Sequence, residues 1–235
     1  MRLPERFLVL LLLVAGHAAL ADPIDLKPFR ATYVAEWKGI SAANSTVELK
    51  HVDGDIYTYS SVNTARGMFR MAFPDALSQT STFKIINGRV VPQLFAGMDE
   101  KERPINLTFD WQNKRITGVA KERAVDLALP DGTQDAMSLQ IASLRDLAAG
   151  NLKGTVWMID ATKLKEYELV LEGKGHIETA LGELDTVIYT SKRVGTSDRL
   201  TRTWVAPTLG YLPVRAESIR GKKVEVTLLI QTVDR

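Results

Sequence analysis

The chain has 235 residues, with 30 Lys and Arg against 28 Asp and Glu, a net charge of +2, three His and no Cys. Without Cys there is no disulfide framework, no thiolate metal site and no lipid carried on a mature N-terminal Cys, so the fold must rest on its core. A balance this close to neutral gives no basis for nucleic-acid binding.

In chain order, Arg2 and Arg6 precede the apolar run from Phe7 to Val14 and the small-x-small triplet Ala19-Leu20-Ala21. This is the pattern of a secretory signal peptide cleaved after about Ala21, and the run is too short to remain as a membrane span. It predicts a leader over 1–21 and a single β-rich domain over 22–235, exported to the periplasm. Phe29, Ala31, Tyr33, Ala35 and Trp37 then alternate with polar residues, the period of a strand with one buried face. Lys38-Gly39 turns the chain into a strand over 41–52, Asp53-Gly54 turns it again, and a third strand follows over 56–62.

Gly67 to Pro74, GMFRMAFP, places Met68, Phe69, Met71 and Phe73 in a segment bounded by Gly and Pro. Exposed, it would be an apolar lip on a cavity or a membrane-touching loop; folded back, it would cover the core. Strands over 76–86 and 90–98 flank Asn87-Gly88, the strongest hairpin signal in the chain. Shorter strands are expected over 105–110, 115–120 and 124–129.

The run from Leu129 to Gly150, LPDGTQDAMSLQIASLRDLAAG, reads as helix over about 135–149. Thr133 and Asp135 are each placed to cap its first turn, Met137, Ile141, Leu144 and Ala148 form an apolar stripe that Leu139 and Leu147 widen, and Gly150 stops it. Beyond it, strands are expected over 155–159 and 167–172, with Gly173 and Gly175 breaking the second. Others follow over 176–179, 184–192, 199–205, 211–219 and 223–231. In the last, Val224, Val226, Leu228 and Ile230 face inward. The total, roughly a dozen mainly antiparallel strands with one helix, predicts an all-β fold: a curved sheet or open β-barrel with the helix packed across it.

Once the leader is removed only His51 and His176 remain, which rules out a three-histidine metal site. His176 and Glu178 share a strand face but have no third ligand, and no glycine-rich phosphate loop opens a helix. Neither a metal nor a cofactor is therefore expected. Ser138, three residues after Asp135 in the first helical turn, could hold an anion or act as a nucleophile, although no nucleophile elbow surrounds it. Asp110, Asp126, Asp131 and Asp160 lie at strand ends, where carboxylates serve either as turn formers or as acid and base. The C-terminal stretch from Thr186 carries nine basic residues against four acidic ones, among them Arg199, Arg202, Arg215, Lys222 and Lys223. Such a balance attracts anionic head groups.

Several stretches together resemble the bacterial domain-of-unknown-function family 3108. They are Tyr33 to Gly39, Phe109-Asp110, the helical run with Asp135, Ser138 and Leu144-Arg145, Thr179 to Gly182, and Trp204 followed by Leu212-Pro213-Val214-Arg215. The resemblance spans nearly the whole mature chain and departs at Thr179–Leu184, where the family often carries Pro-Ala-Gly before a Phe strand. It implies an exported envelope protein, with a fold similar to the periplasmic lipoprotein carriers.

These readings favour a non-enzymatic protein that binds or carries an amphiphilic envelope molecule, a lipid or glycolipid. Phe69, Met71 and Phe73 at the lip, Ser138, and Arg202, Trp204 and Arg215 are the expected ligand contacts. The alternatives are an envelope hydrolase acting on glycan or lipid ester through Asp110, Asp135 and Ser138, and a structural partner of an envelope protein docked along a sheet edge. The partners expected are thus a lipid or glycan ligand, an envelope protein and peripheral contact with a membrane.

Overall fold

A computed structural model describes residues 26–235 apart from 74, 100, 102, 153, 196 and 197. The leader and its Ala21 junction lie outside the described residues. The strands are β1 (Phe29–Trp37), β2 (Ile40–Asp53), β3 (Ile56–Ala65), β4 (Leu77–Ile86), β5 (Arg89–Met98), β6 (Pro104–Asp110), β7 (Arg115–Ala120) and β8 (Arg123–Ala128) before the helix α1 (Ser138–Ala148). After it come β9 (Thr155–Asp160), β10 (Lys163–Thr179), β11 (Gly182–Arg193), β12 (Arg199–Ala206), β13 (Leu212–Arg220) and β14 (Lys223–Asp234). Short 3₁₀ turns occupy Gly67–Met71 and Pro207–Leu209.

All fourteen strands belong to one curved, unclosed antiparallel sheet of order β8-β7-β6-β5-β4-β3-β2-β1-β14-β13-β12-β11-β10-β9. First and last strands pair at its centre, with Tyr33 opposite Ile230 and Trp37 opposite Val226. Two wings, β1–β8 and β9–β14, extend from that seam, and their outer strands β8 and β9 do not pair. Residues 129–135 span the gap instead. The Gln134 N–H donates to Trp157 O at 2.8 Å and Gln134 O accepts from Ile159 N at 2.9 Å, while its side-chain amide donates to Val90 O at 3.0 Å on the opposite wing.

Period-two alternation gives the sheet one apolar face, and that face is the core. Ala31 and Tyr33, Leu49, Tyr59, Phe83, Phe95, Leu107, Ile116, Tyr189, Val205, Val214 and Ile230 are all buried on it. The helix lies within the same concavity, with Met137, Ile141, Leu144 and Leu147 buried. Leu139 and Ala148 are half-buried. At Gly118, φ is +142° and an added Cβ would stand 2.0 Å from Asn106 O, so only glycine lets β7 approach β6 there.

The regular helix starts at Ser138 rather than Asp135, although Asp135 does organise its first turn. Asp135 Oδ1 accepts the N–H groups of Met137 and Ser138, both at 2.8 Å, and Ser138 Oγ accepts the Asp135 N–H at 2.9 Å. This reciprocal pair is a capping box built from Asp and Ser. Nor do Gly173 and Gly175 break the long strand. β10 continues through them, and a bulge between Leu171 and Gly173 absorbs one extra residue. Leu171 is exposed, because β9 reaches only as far as Glu168 and leaves it on uncovered edge.

Candidate functional site

In an up-and-down sheet alternate turns fall at the same end. The turns at 38–39, 66–76, 194–198 and 221–222 therefore share one end, together with those at 99–103, 121–122 and 161–162. Both ends of the helical segment, and the turns at 54–55, 87–88, 111–114 and 180–181, lie at the other. At the first end the inner face stays open. There Trp37, Ala43, Asn63, Ala65, Leu77 and Val226 line a cavity of about 590 Å³, roofed by Phe69 and Phe73. Small side chains at the ends of β2 and β3 create the room that larger ones fill deeper in the sheet.

The roof is the 3₁₀ turn. Phe69 N–H donates to Arg66 O at 3.1 Å, and the Phe73 N–H donates back to Phe69 O at 2.9 Å. The Phe69 ring meets Trp37 edge to face, with centroids 6.0 Å apart at 78°. Lys38 Nζ stands 4.5 Å from the centroid of that same Trp37 ring, on the rim.

From this mouth an apolar track leads inward along the central seam. Val226, Leu228 and Ile230 of β14 lie opposite Trp37, Ala35 and Tyr33 of β1. Exposure falls along it, from 37% at Val226 and 43% at Trp37 to 1% at Ile230 and 3% at Tyr33. Leu228 also lines a second cavity of about 360 Å³ between α1 and the β9–β14 wing, with Leu139, Gln140, Tyr167, Tyr189 and Ala216. The few polar groups around this inner space are mostly paired. Tyr59 Oη donates to Gln140 Oε1 at 3.3 Å, and the Tyr189 hydroxyl bonds to Thr203 and Ser143. Burial raises both phenols above their usual range, so they act as neutral hydroxyls.

The expected contacts fall into three places. Phe69 and Phe73 line the mouth, whereas Met71 projects outward at 89% exposure. Ser138 is fully buried in the capping box, out of reach of either cavity. Arg202, Trp204 and Arg215 gather on the outer face: Trp204 pairs across the strands with Arg215, whose guanidinium lies 5.4 Å from its ring centroid, and Arg202 Nε lies 2.8 Å from Glu172. Trp37, Ala43, Ala65 and Tyr189 were not singled out by sequence. The one available signal was alanine recurring at strand ends where neighbouring strands carry bulky residues.

The carboxylates do not converge. Asp110 accepts from the Asn113 backbone and side chain at 2.9 and 2.8 Å, Asp126 pairs with Arg115, Asp131 with Lys114, and Asp160 with Lys165. Asp135 is sealed inside, and burial raises its carboxyl above the usual range despite the hydrogen bond from Ser81 Oγ at 2.6 Å. His176 meets Asp185 at 2.9 Å and Glu183 at 3.5 Å on an exposed strand, and those partners, Asp185 foremost, raise its pKa. Among the described residues no group of three His, Asp or Glu side chains is arranged to hold a metal ion. No helix among them is long and apolar enough to cross a membrane.

Fold and mouth together define an open, barrel-like β-protein whose concavity holds a helix and an apolar cavity. The chain belongs to the family described as Protein of unknown function (DUF3108), whose model matches residues 32–226. Among solved structures it is similar to a β-barrel-like protein of the domain of unknown function DUF1849 from Brucella abortus, with a TM-score of 0.53 at 12% identity over 88% of this chain and 97% of that one. That likeness shows the fold. It is also similar to a protein with a YmcC-like fold from Bacteroides fragilis (TM-score 0.43, 10% identity, 90% and 97% of the two chains). The chains in the Pseudomonas aeruginosa MucA/MucB complex include another match (0.37, 14%, 88% and 51%). No curated protein matches the chain.

Proposed function

We propose that this protein binds an amphiphilic envelope molecule, a lipid or glycolipid, without cleaving it, and that it does so in the periplasm after loss of the first 21 residues. The observation that carries the reading is the apolar track from the Trp37–Phe69 mouth along β1 and β14 to the cavity beside α1. An apolar chain in that track would gain about 25 cal/mol for each Å² removed from water, with few buried polar groups to desolvate. Its head group would remain at the mouth, where Lys38 and Asn63 are available. The engagement of Asp110 and Asp135 in local structure supports binding rather than bond cleavage.

The test is fluorescence titration with N-phenyl-1-naphthylamine, followed by displacement with a lysophospholipid. Wild type is expected to enhance the dye's emission and to release it as lysophospholipid is added. Ala43→Trp fills the mouth and Ala216→Phe the inner cavity; each should weaken binding at least tenfold with an unchanged circular dichroism spectrum. Absence of dye binding by wild type, or full binding by both filled variants, would overturn the reading. N-terminal sequencing of a periplasmic extract checks the location, with Asp22 expected as the first residue.

A further inference from the structure

The mouth is surrounded by side chains that its own cavity does not use. Gly67–Met71 is a 3₁₀ turn, in which residues three apart lie on one side. Met68 and Met71 therefore project together, at 72% and 89% exposure, while Phe69 between them turns inward to Trp37. Ile40, Val194 and Val224, on the neighbouring turns, are exposed as well. These turns follow one another along the edge of the sheet in the order β3–β4, β1–β2, β13–β14, β11–β12. Backbone hydrogen bonds tie them together: Lys38 N–H to Glu225 O at 3.0 Å, Arg66 N–H to Ala42 O at 2.8 Å, and Gly221 N–H to Asp198 O at 2.9 Å.

Charge on these four turns is mostly basic. Residues 36–40, 66–75, 192–199 and 220–226 hold nine Lys and Arg against four Asp and Glu. One of those four is already engaged: Glu225 lies 2.9 Å from Arg199 and 3.6 Å from Arg220. Lys38, Arg70, Lys222 and Lys223 are exposed beside the apolar tips.

We infer that this rim docks on an anionic phospholipid bilayer, with Met68 and Met71 entering the boundary between head groups and acyl chains and the surrounding Lys and Arg meeting phosphates. Exposed apolar tips in a basic ring match such a surface in both respects: its hydrocarbon begins a few ångströms below a negatively charged plane. The orientation that follows directs the open mouth at the membrane. The inference rests on the amphiphile-binding reading for its purpose, since a ligand could then pass between bilayer and cavity without crossing water. Its physical basis, the rim, stands apart from the cavity.

The test is co-sedimentation of the full mature chain with vesicles of phosphatidylcholine alone or mixed with phosphatidylglycerol. Binding is expected to the mixed vesicles, far less to the neutral ones, and to weaken as salt is raised from 50 to 500 mM, as screening requires. The pair Met68→Ser and Met71→Ser should weaken binding to mixed vesicles by roughly tenfold or more, on the apolar area each methionine would bury. Lys222→Glu with Lys223→Glu should reduce the preference for anionic vesicles by about fivefold per residue, and Val52→Ser at the far end of the sheet should change nothing. Equal binding to both vesicle types at low salt, no binding to either, or indifference to both rim variants would overturn the inference. Its failure is separable from failure of the cavity reading. Ala43→Trp should lose N-phenyl-1-naphthylamine and keep vesicle binding, and the methionine pair should do the reverse.

Discussion

At the end of the sheet where the helical segment leaves and returns, side chains satisfy one another: Trp111 Nε1 donates to Pro92 O at 2.6 Å, Tyr33 Oη to Pro213 O at 2.9 Å, and Asp110 holds the Asn113 turn. Its hairpin turns, taken as residues 52–57, 85–90, 110–115, 178–184 and 206–212, carry three basic against five acidic residues. Val52 and Ile86 are its exposed large apolar side chains. The mouth end has the same kind of turns on the same strands, yet keeps Met68 and Met71 in water, with nine basic and four acidic residues on the four turns around them. Since one chain builds both ends, the difference is not a shortage of ways to bury or pair a turn. Exposure at the mouth is a property of that surface, of the kind that marks contact sites.

The largest effect expected away from the mouth comes from Asp135→Ala. It leaves the N–H groups of Met137 and Ser138 and the Ser81 hydroxyl without their acceptor inside the protein, and should lower stability by about 3 kcal/mol in urea melts. Asp135→Asn keeps an acceptor for the two N–H groups and a donor for Ser81, and should cost about 1 kcal/mol or less. It also has a pH signature. Burial raises the folded-state pKa of Asp135 above the usual 3.8, so between the unfolded and folded values the native state holds the extra proton. This group therefore makes stability fall as pH rises through that window, and Asp135→Asn should remove that component.

Smaller effects sharpen the contrast between the ends. Trp111→Phe loses the hydrogen bond to Pro92 O and should cost about 1 kcal/mol, leaving dye binding intact. Met68→Ser with Met71→Ser should shift stability by no more than about 0.5 kcal/mol, because both side chains are already in water. A loss comparable to that of Trp111→Phe would mean that the lip is structural and that the two ends are alike. The smallest effect is a titration. His176 should show an NMR pKa above 6.5, and Asp185→Asn should lower it. Any stability from that pair is present below the unfolded-state pKa and disappears as pH rises through the folded one.

Alternation made the sheet legible in the sequence, since each strand has one core face, and the helix stood out by its different period. What alternation does not carry is curvature and which strands meet at the seam. The pairing of β1 with β14 brings Trp37 to Val226 across almost the whole chain, and no local pattern encodes that contact. The apolar lip was visible as four large side chains between Gly67 and Pro74, but not which of them turn in. That follows from a 3₁₀ turn, which directs Phe69 to Trp37 and Met68 with Met71 outward. Ser138 and Asp135 carried a catalytic reading beside the cap reading, which the lack of a nucleophile elbow favoured, and their burial agrees with the cap. Arg202, Trp204 and Arg215 looked like ligand contacts because of their chemistry, but their place on the outer face is a consequence of register with Thr203 and Val205 buried.

The central claim is that an apolar chain lies along the β1–β14 track. It is tested most directly by NMR of the mature protein with a fatty acid carrying a nitroxide on its chain. Paramagnetic broadening is expected at the amides of Ala43, Ala65, Val226 and Leu228, and at Tyr189 when the label is moved toward the chain terminus, with the turns at 54–55 and 180–181, at the opposite end of the sheet, least affected. Broadening centred on those turns, or spread evenly over the surface, would contradict the account.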